Sequence, residues 1–177
     1  MIYKHSYEVS DDFISDILRI DEAVFEPSAR GTKASLLARY NANRESYILV
    51  YDDSQIIGYV AFFPINSALG ERIICEDTAF DDNIQAQDIL PSYAPGTDFD
   101  MFLISVAVLP EYGGRGIGKE LMQKYFDFVS GKTKQGCLIK NTYSYAFTEA
   151  GAGILKKSGF NEVKSVQDSI KLMQYVF

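Results

Sequence analysis

Val106-Ala-Val-Leu-Pro-Glu-Tyr-Gly-Gly-Arg-Gly-Ile-Gly-Lys-Glu-Leu121 is the stretch that decides how this chain is read. A β-branched run stops at Pro110. A turn dense in glycine follows, with Gly113, Gly114, Gly116 and Gly118, and an amphipathic helix then opens. Glycine carries no Cβ and accepts positive φ, so such a turn lets the backbone come close to a ligand. The helix presents unpaired N–H groups and a positive dipole end, a ready seat for a phosphate. Four glycines in six residues exceed what a tight strand-to-helix turn needs. Tethered phosphates are therefore the expected ligand.

Three phosphate-binding patterns compete for this stretch. The Walker loop requires Gly, four residues, Gly, Lys, then Ser or Thr. Gly113 to Lys119 fits, but the last position is Glu120, which has no magnesium-binding hydroxyl and sets a carboxylate beside phosphate oxygens. The dinucleotide fingerprint G-x-G-x-x-G fails because Gly116-Ile-Gly118 continues as Lys119, Glu120 and Leu121. It also belongs near the first strand of a repeating βαβ unit, and this strand lies past mid-chain.

The third pattern fits. Val106-x-Val108-x-Pro110-Glu-Tyr112 leading into Gly113–Gly118 resembles the central acyl-CoA motif of the GNAT N-acetyltransferases, (Gln or Arg)-x-x-Gly-x-(Gly or Ala). The resemblance implies that the backbone N–H groups of Gly113, Gly114, Arg115, Gly116, Ile117, Gly118 and Lys119 hold the pyrophosphate of acetyl-CoA. It also implies that Val106, Ala107 and Val108 pair with the pantetheine arm. The family's Gln or Arg is Gly113 here, which removes one side-chain contact and leaves the backbone cradle, with Arg115 near the phosphates. A second segment, Thr148-Glu-Ala-Gly-Ala-Gly-Ile-Leu-Lys-Lys-Ser-Gly-Phe160, resembles the late family pattern Asn-x-x-Ala-x-x-x-Tyr-x-x-x-Gly-Phe. The small residues at 150–153 and the Gly159-Phe160 ending match. The family's Asn is Thr148, and its Tyr, often the acid that protonates the leaving CoA thiolate, is Leu155.

A length of 177 residues suits one compact domain over 1–177, and 47% hydrophobic with 23% charged residues describes neither a disordered nor a membrane-spanning chain. Asp11, Asp12 and Asp16 interrupt the first twenty residues, so neither a signal peptide nor a membrane span is expected. Cys75 and Cys137 lack CxxC spacing and read as reduced thiols of a cytoplasmic protein. The one histidine, His5, argues against a His-ligated metal and against a Ser/His or Cys/His dyad, so no metal is expected. Residues 71–100 hold eight of the 24 acidic residues and one of the 17 basic ones, so this segment supplies the whole net charge of −7. Nucleic acid, which needs clustered bases, is not an expected partner, nor is a membrane. The acidic segment is either a solvated loop or a wall that gathers a cationic acceptor.

Hydrophobic spacing predicts an edge strand over 2–9 and a helix capped by Asp11 or Asp12 with Ile14, Ile17, Leu18, Val24 and Phe25 inward, ended by Pro27. A short helix is predicted over 33–40, then a hairpin of 46–51 and 56–63 that Pro64 closes. Residues 65–100 show no clear periodicity. A buried strand over 102–108, a helix from 114 to about 129, a strand over 136–140 and a helix over 148–158 follow. A closing hairpin of 160–166 and 169–176 turns at Gln167-Asp168. This order matches the GNAT succession. It implies an α/β (α+β) fold with a mixed, mostly antiparallel twisted sheet of about seven strands flanked by about four helices, as a monomer or homodimer.

The resemblance implies an acetyl-CoA-dependent transfer of an acetyl group to an amine of a small-molecule or peptide acceptor. A backbone N–H of the 106–108 strand would polarise the thioester carbonyl, and the acceptor ammonium needs a base or a water path. The family often places a Glu on that strand; here its one polar side chain is Ser105, suited to ordering a water. Asp100 at the strand's entry, and Glu76 or Asp77 in the acidic segment, are the carboxylate candidates for base or acceptor binding. Tyr143 and Tyr145, expected between the fifth strand and the late helix, are the candidate acids, since a phenol suits protonation of a thiolate. The rival reading is a non-catalytic acyl-CoA-binding module, which needs the same cradle and is favoured by Leu155.

Overall fold

The structure is a computed structural model and describes residues 1–78, 84–167 and 170–177. Its strands are β1 (Ile2–His5), β2 (Tyr47–Asp52), β3 (Gln55–Ile65), β4 (Asp98–Val108), β5 (Leu138–Ala146), β6 (Asn161–Val166) and β7 (Ile170–Val176). They form one sheet in the order β1-β2-β3-β4-β5-β7-β6. The pairings are antiparallel except that of β4 with β5. The helices are α1 (Phe13–Val24), α2 (Lys33–Ala42), α3 (Ser67–Cys75), α4 (Ile117–Lys134) and α5 (Glu149–Lys157). This is the expected α/β GNAT architecture with one helix more.

The extra helix is α3, in the stretch without clear periodicity. Asn66 caps it by accepting the Leu69 N–H at 2.8 Å, and Leu69 and Ile73 bury against the sheet. Nine residues offer too few turns for an apolar period to show among Glu71, Arg72 and Cys75. Other boundaries move for local reasons. The first strand stops at His5, because the chain turns at Ser6, whose Oγ donates to Arg44 O. The Asp12 side chain makes no cap to α1, and Asp11 pairs with Arg44 instead. Strand β3 runs through Pro64 to Ile65. Phe62 donates its N–H to Ser46 O, at the end of β2, so Pro64 faces the same side two residues later, beyond that strand. Its missing N–H therefore removes no ladder bond, and its carbonyl accepts from Leu90 N. The Asp168 end of the closing turn, with Ser169, lies outside the described residues.

Strand β3 is buried along all but its first residue because helices cover both faces. Tyr59 reaches Asp21 of α1 on one face, while Phe62 packs on Tyr125 and Phe128 of α4 on the other. Helix α3 lies so close to β4 that a Cβ on Gly70 would collide with Asp100 Oδ2 and come within 3.1 Å of the Tyr143 ring. Gly70→Ala is therefore expected to lower unfolding free energy by about 1–3 kcal/mol through overpacking, although alanine is the better helix former. Urea titration of both proteins measures the sign directly.

The functionally decisive feature is where β4 and β5 part. They pair from Asp98 opposite Leu138 to Phe102 opposite Tyr143 and no further, although β4 continues to Val108 and β5 to Ala146. Beyond that point β4 stays with β3, and β5 stays with β7. Ser105 stands opposite Ala61 and Leu103 opposite Phe62, so Ile104 is an extra residue on β4. Such a bulge bends its strand and increases the local twist, which turns β4 away from β5.

Candidate active site

The gap between the diverging strands is a cleft of about 510 Å³. One wall is β4 from Leu103 to Val106, and the other is Ser144–Thr148 with Gly151, Ile154 and Leu155 of α5. Its far side is closed by the end of α1, the segment holding Phe25, Glu26 and Ser28, and Arg39 of α2. In an antiparallel pair successive residues bond alternately to the two sides of the strand. Alternate N–H and C=O groups of β4 beyond Phe102 therefore face the gap instead of another strand. An extended arm laid in the gap meets a row of backbone donors and acceptors.

At the end of β4 the chain makes a single helical turn at Pro110–Tyr112 and enters the glycine turn. Gly114 and Gly116 hold φ of 75° and 81°, conformations that L side chains rarely adopt. Gly116 is the N-cap of α4, and no side chain caps that helix. Among the described residues no intrachain acceptor meets the N–H groups of Gly114 to Lys119. Gly118 is the informative glycine. Its φ is not positive and a Cβ there would meet no protein atom within 4 Å, so neither backbone strain nor packing asks for glycine. A first-turn glycine without a conformational role weakens the helix by about 1 kcal/mol relative to alanine, and the room it leaves lies outside the protein. Open donors, a dipole end and that room fit a pyrophosphate. Gly113 departs from the expected cradle: its φ is −58° and its N–H donates to Pro110 O, closing the preceding turn. Arg115 is held at the rim, its guanidinium 5.0 Å over the Tyr112 ring and donating to Glu111 O at 3.2 Å.

The structure re-sorts the candidate chemical groups. Tyr143 and Tyr145 lie on β5 and not in a loop after it, because that strand runs on to Ala146 in its ladder with β7. Being two apart, they share one face. Tyr143 is buried beside Gly70 and Asp100, burial first and the Asp100 charge next raise its hydroxyl to about 12, and it does not line the cleft. Tyr145 does line it, with its hydroxyl donating to Thr78 O at 3.3 Å. Asp100 is buried beneath α3, accepts from Asn141 Nδ2 at 2.8 Å, and lines no part of the cleft. Desolvation raises its carboxyl, which fits a packing role under Gly70. Glu76 pairs with Arg72 and Asp77 with Lys164, and neither lines the cleft. Asp81 and Asp82, in the same acidic segment, lie outside the described residues. Leu155 lines the cleft and brings no protic group.

Ser105 lines the cleft as well, and it stands in company that sequence reading passed over. Its Oγ is 3.1 Å from Tyr59 Oη, and Tyr59 donates to Asp21 Oδ1. Asp21 is 4% exposed, and desolvation pushes its carboxyl up to about 6 against the opposing pull of the Tyr59 hydrogen bond and the Arg30 charge. A signal existed. Asp21 continues the stripe of Ile14 and Ile17 at helical spacing, and an acid on the buried stripe of a helix is the kind of exception that marks a site.

A sheet split between its two parallel strands, with a glycine turn at the end of one of them, points to the class of the acyltransferases. The sequence model described as the acetyltransferase (GNAT) family matches residues 12–153, and the chain belongs to that family. The loading GNATL domain of CurA from Lyngbya majuscula superposes with a TM-score of 0.74 at 10% identity, covering 99% of this chain and 96% of that one. NAA60 of Arabidopsis thaliana, in complex with a bisubstrate analogue, gives 0.67 at 14% identity over 99% and 97%. The PaiA N-acetyltransferase of Thermoplasma acidophilum, in complex with coenzyme A, gives 0.61 at 14% identity over 100% of both chains. At these identities the likeness carries the fold. A comparison with curated protein sequences finds no match. Among the described residues, no helix is long and apolar enough to cross a membrane.

Proposed function

We propose that this protein transfers an acetyl group from acetyl-CoA to a primary amine that is an ammonium at neutral pH. The observation that carries the reading is the cleft itself. It has the free edge of β4 on one side and opens, beside Ser105, onto the pocket under α1 that holds Asp21. The N–H groups of Gly114 to Lys119 would bind the pyrophosphate, with Arg115 adding charge at the rim. A backbone N–H of the Val106–Val108 run would donate to the thioester oxygen and gain strength as that oxygen becomes anionic, without reorganising. Tyr145, the phenol on the β5 wall of the cleft, would protonate the departing thiolate. PaiA, an N-acetyltransferase whose fold this chain shares, adds weight to nitrogen as the accepting atom. The test is release of free thiol from acetyl-CoA across polyamines, aminoglycosides, amino acids and basic peptides. Turnover with at least one amine is expected. Saturable acetyl-CoA binding with no turnover on any amine would favour the non-catalytic module, the reading that Leu155 supports.

The acidic surplus bears on capture of the acceptor. Because Glu76 and Asp77 are ion-paired outside the cleft, their influence on an ammonium is expected to act at a distance. Such steering fades as the Debye length falls from about 10 Å at 0.1 M salt to about 3 Å at 1 M. The Glu76→Gln/Asp77→Asn protein should show reduced kcat/KM for the amine at low salt and match the parent at 1 M. Steady-state kinetics at several salt concentrations measures this, and a difference that persists at 1 M would mean that these carboxylates touch the acceptor.

A further inference from the structure

We propose that Asp21, Tyr59 and Ser105 form a proton relay that carries the proton of the acceptor ammonium out of the cleft, Ser105 Oγ being the group that meets the amine. The inference rests on the amine-acetylating reading and adds how that amine becomes a nucleophile. Three observations carry it. The three side chains come from α1, β3 and β4 and form one continuous hydrogen-bonded chain. All three line the cleft, and Ser105 is the least buried of them. The polarity of the chain is fixed at one end: an ionised Asp21 only accepts, so Tyr59 donates to it, and Ser105 in turn donates to Tyr59 Oη. The second lone pair of Ser105 Oγ is then free to accept a hydrogen from the amine. Ser105 also sits next to the Ile104 bulge, on the strand segment expected to hold the thioester.

The transfer balances. The ammonium N–H bond breaks as a proton passes to Ser105 Oγ, the hydroxyl proton of Ser105 passes to Tyr59 Oη, and that of Tyr59 passes to Asp21 Oδ1. The neutral amine attacks the thioester carbon. Its second proton leaves with the CoA thiolate, and Asp21 later releases the first one to solvent. Thioester and ammonium thus give amide, thiol and one proton. Asp21 acts through the two hydroxyls and touches no substrate, so it is a positioning residue and proton sink. The charged and titratable groups that act on it are Arg30 after α1, Tyr47 of β2 and Tyr59 of β3, with Arg39 of α2 and Glu26 after α1 on the same cleft. The Arg30 charge and the Tyr59 hydrogen bond help keep Asp21 ionised at neutral pH despite its burial.

The test uses the full chain and the amine that turns over fastest in the thiol-release panel. In the parent, kcat/KM is expected to rise with pH along an acidic limb near 6, as Asp21 ionises. Asp21→Asn keeps an acceptor for Tyr59, and Tyr59→Phe keeps the ring. Each should lower kcat/KM by about 10²-fold or more, within the range of general-base catalysis, and abolish that limb. The acetyl-CoA-dependent shift in Tm should remain in both. Stability should move the other way. A carboxyl raised in the folded state contributes stability below its unfolded value, and that contribution is lost as pH rises through about 6. Asp21→Asn should therefore unfold at higher temperature than the parent at pH 8, because a neutral amide escapes the desolvation cost of the buried carboxylate; the kinetic limb, and not this gain, separates a relay from a structural role. If both variants turn over as the parent does with the limb intact, the relay is overturned and the amine-acetylating reading stands. If the parent releases no thiol with any amine, that reading falls and the relay with it.

Discussion

Gly118→Val is expected to abolish the rise in Tm that acetyl-CoA gives the parent protein while leaving the free protein folded and about as stable. A ligand that binds only the native state stabilises it by about 2.7 kcal/mol at a hundredfold excess over Kd. For a chain of this size that is a shift of roughly 5–11 °C. Gly118 separates two effects that Gly116 confounds. A Cβ at Gly118 meets no protein atom and needs no unusual φ, so a valine there costs the free protein little. Its methyl groups would occupy the space beside the open N–H groups of the first turn of α4, where a pyrophosphate has to come within hydrogen-bonding distance. Gly116→Val should remove the shift too. It forces valine to a φ of 81°, however, so its loss of binding is accompanied by a lower Tm of the free protein. Differential scanning fluorimetry over an acetyl-CoA titration reads both. A folded Gly118→Val protein with the parent's full shift would show that the phosphates sit elsewhere.

The second large effect is expected at the leaving group. Tyr145→Phe should lower kcat by about 10²–10⁴ while the affinity for acetyl-CoA stays near the parent's, because a proton donor to the thiolate acts only as the C–S bond breaks. Tyr143→Phe is the matched control. Its hydroxyl is packed by α3 and Asp100 away from the cleft, so kcat should hold and stability should change instead. Single-turnover measurement of CoA release distinguishes a slowed chemical step from slowed product departure. Normal kcat in both variants would make solvent the acid. The Leu155→Tyr protein should then turn over faster than the parent, since it restores a phenol to the cleft wall where the family carries one.

The GNAT succession was legible because its signals are local. The glycine run, the Pro110 stop and the helical stripe of Ile117, Leu121, Tyr125 and Val129 each lie within one or two turns of chain. The start of α5 is equally local: the Thr148 hydroxyl accepts from Gly151 N at 3.0 Å and caps the helix expected from 148. Features that depend on a neighbouring element of the sheet leave no such local signal. The sequence reads as a fifth strand ending at 140, with both tyrosines after it, because nothing in Asn141–Ala146 announces pairing with the far-away β7. Asp100, at the strand's entry, reads as a carboxylate candidate because sequence does not show that α3 folds over it. Asp21 stands on an apolar stripe in the sequence, but its partners Tyr59 and Ser105 lie 38 and 84 residues further on.

The sequence by itself determined the family, the glycine turn and, α3 apart, the order of elements, since backbone conformation, capping and helical periodicity are decided by residues within a few positions of one another. Which side chains meet was left to tertiary structure. The bulge at Ile104 turns β4 away from β5 and opens the cleft, the β5–β7 ladder sends Tyr145 into it and Tyr143 under α3, and the packing of α1 brings Asp21 to Tyr59. Desolvation and hydrogen bonding act through space between elements distant in the chain. For that reason the chemistry of this cleft became readable only once the sheet had closed around it.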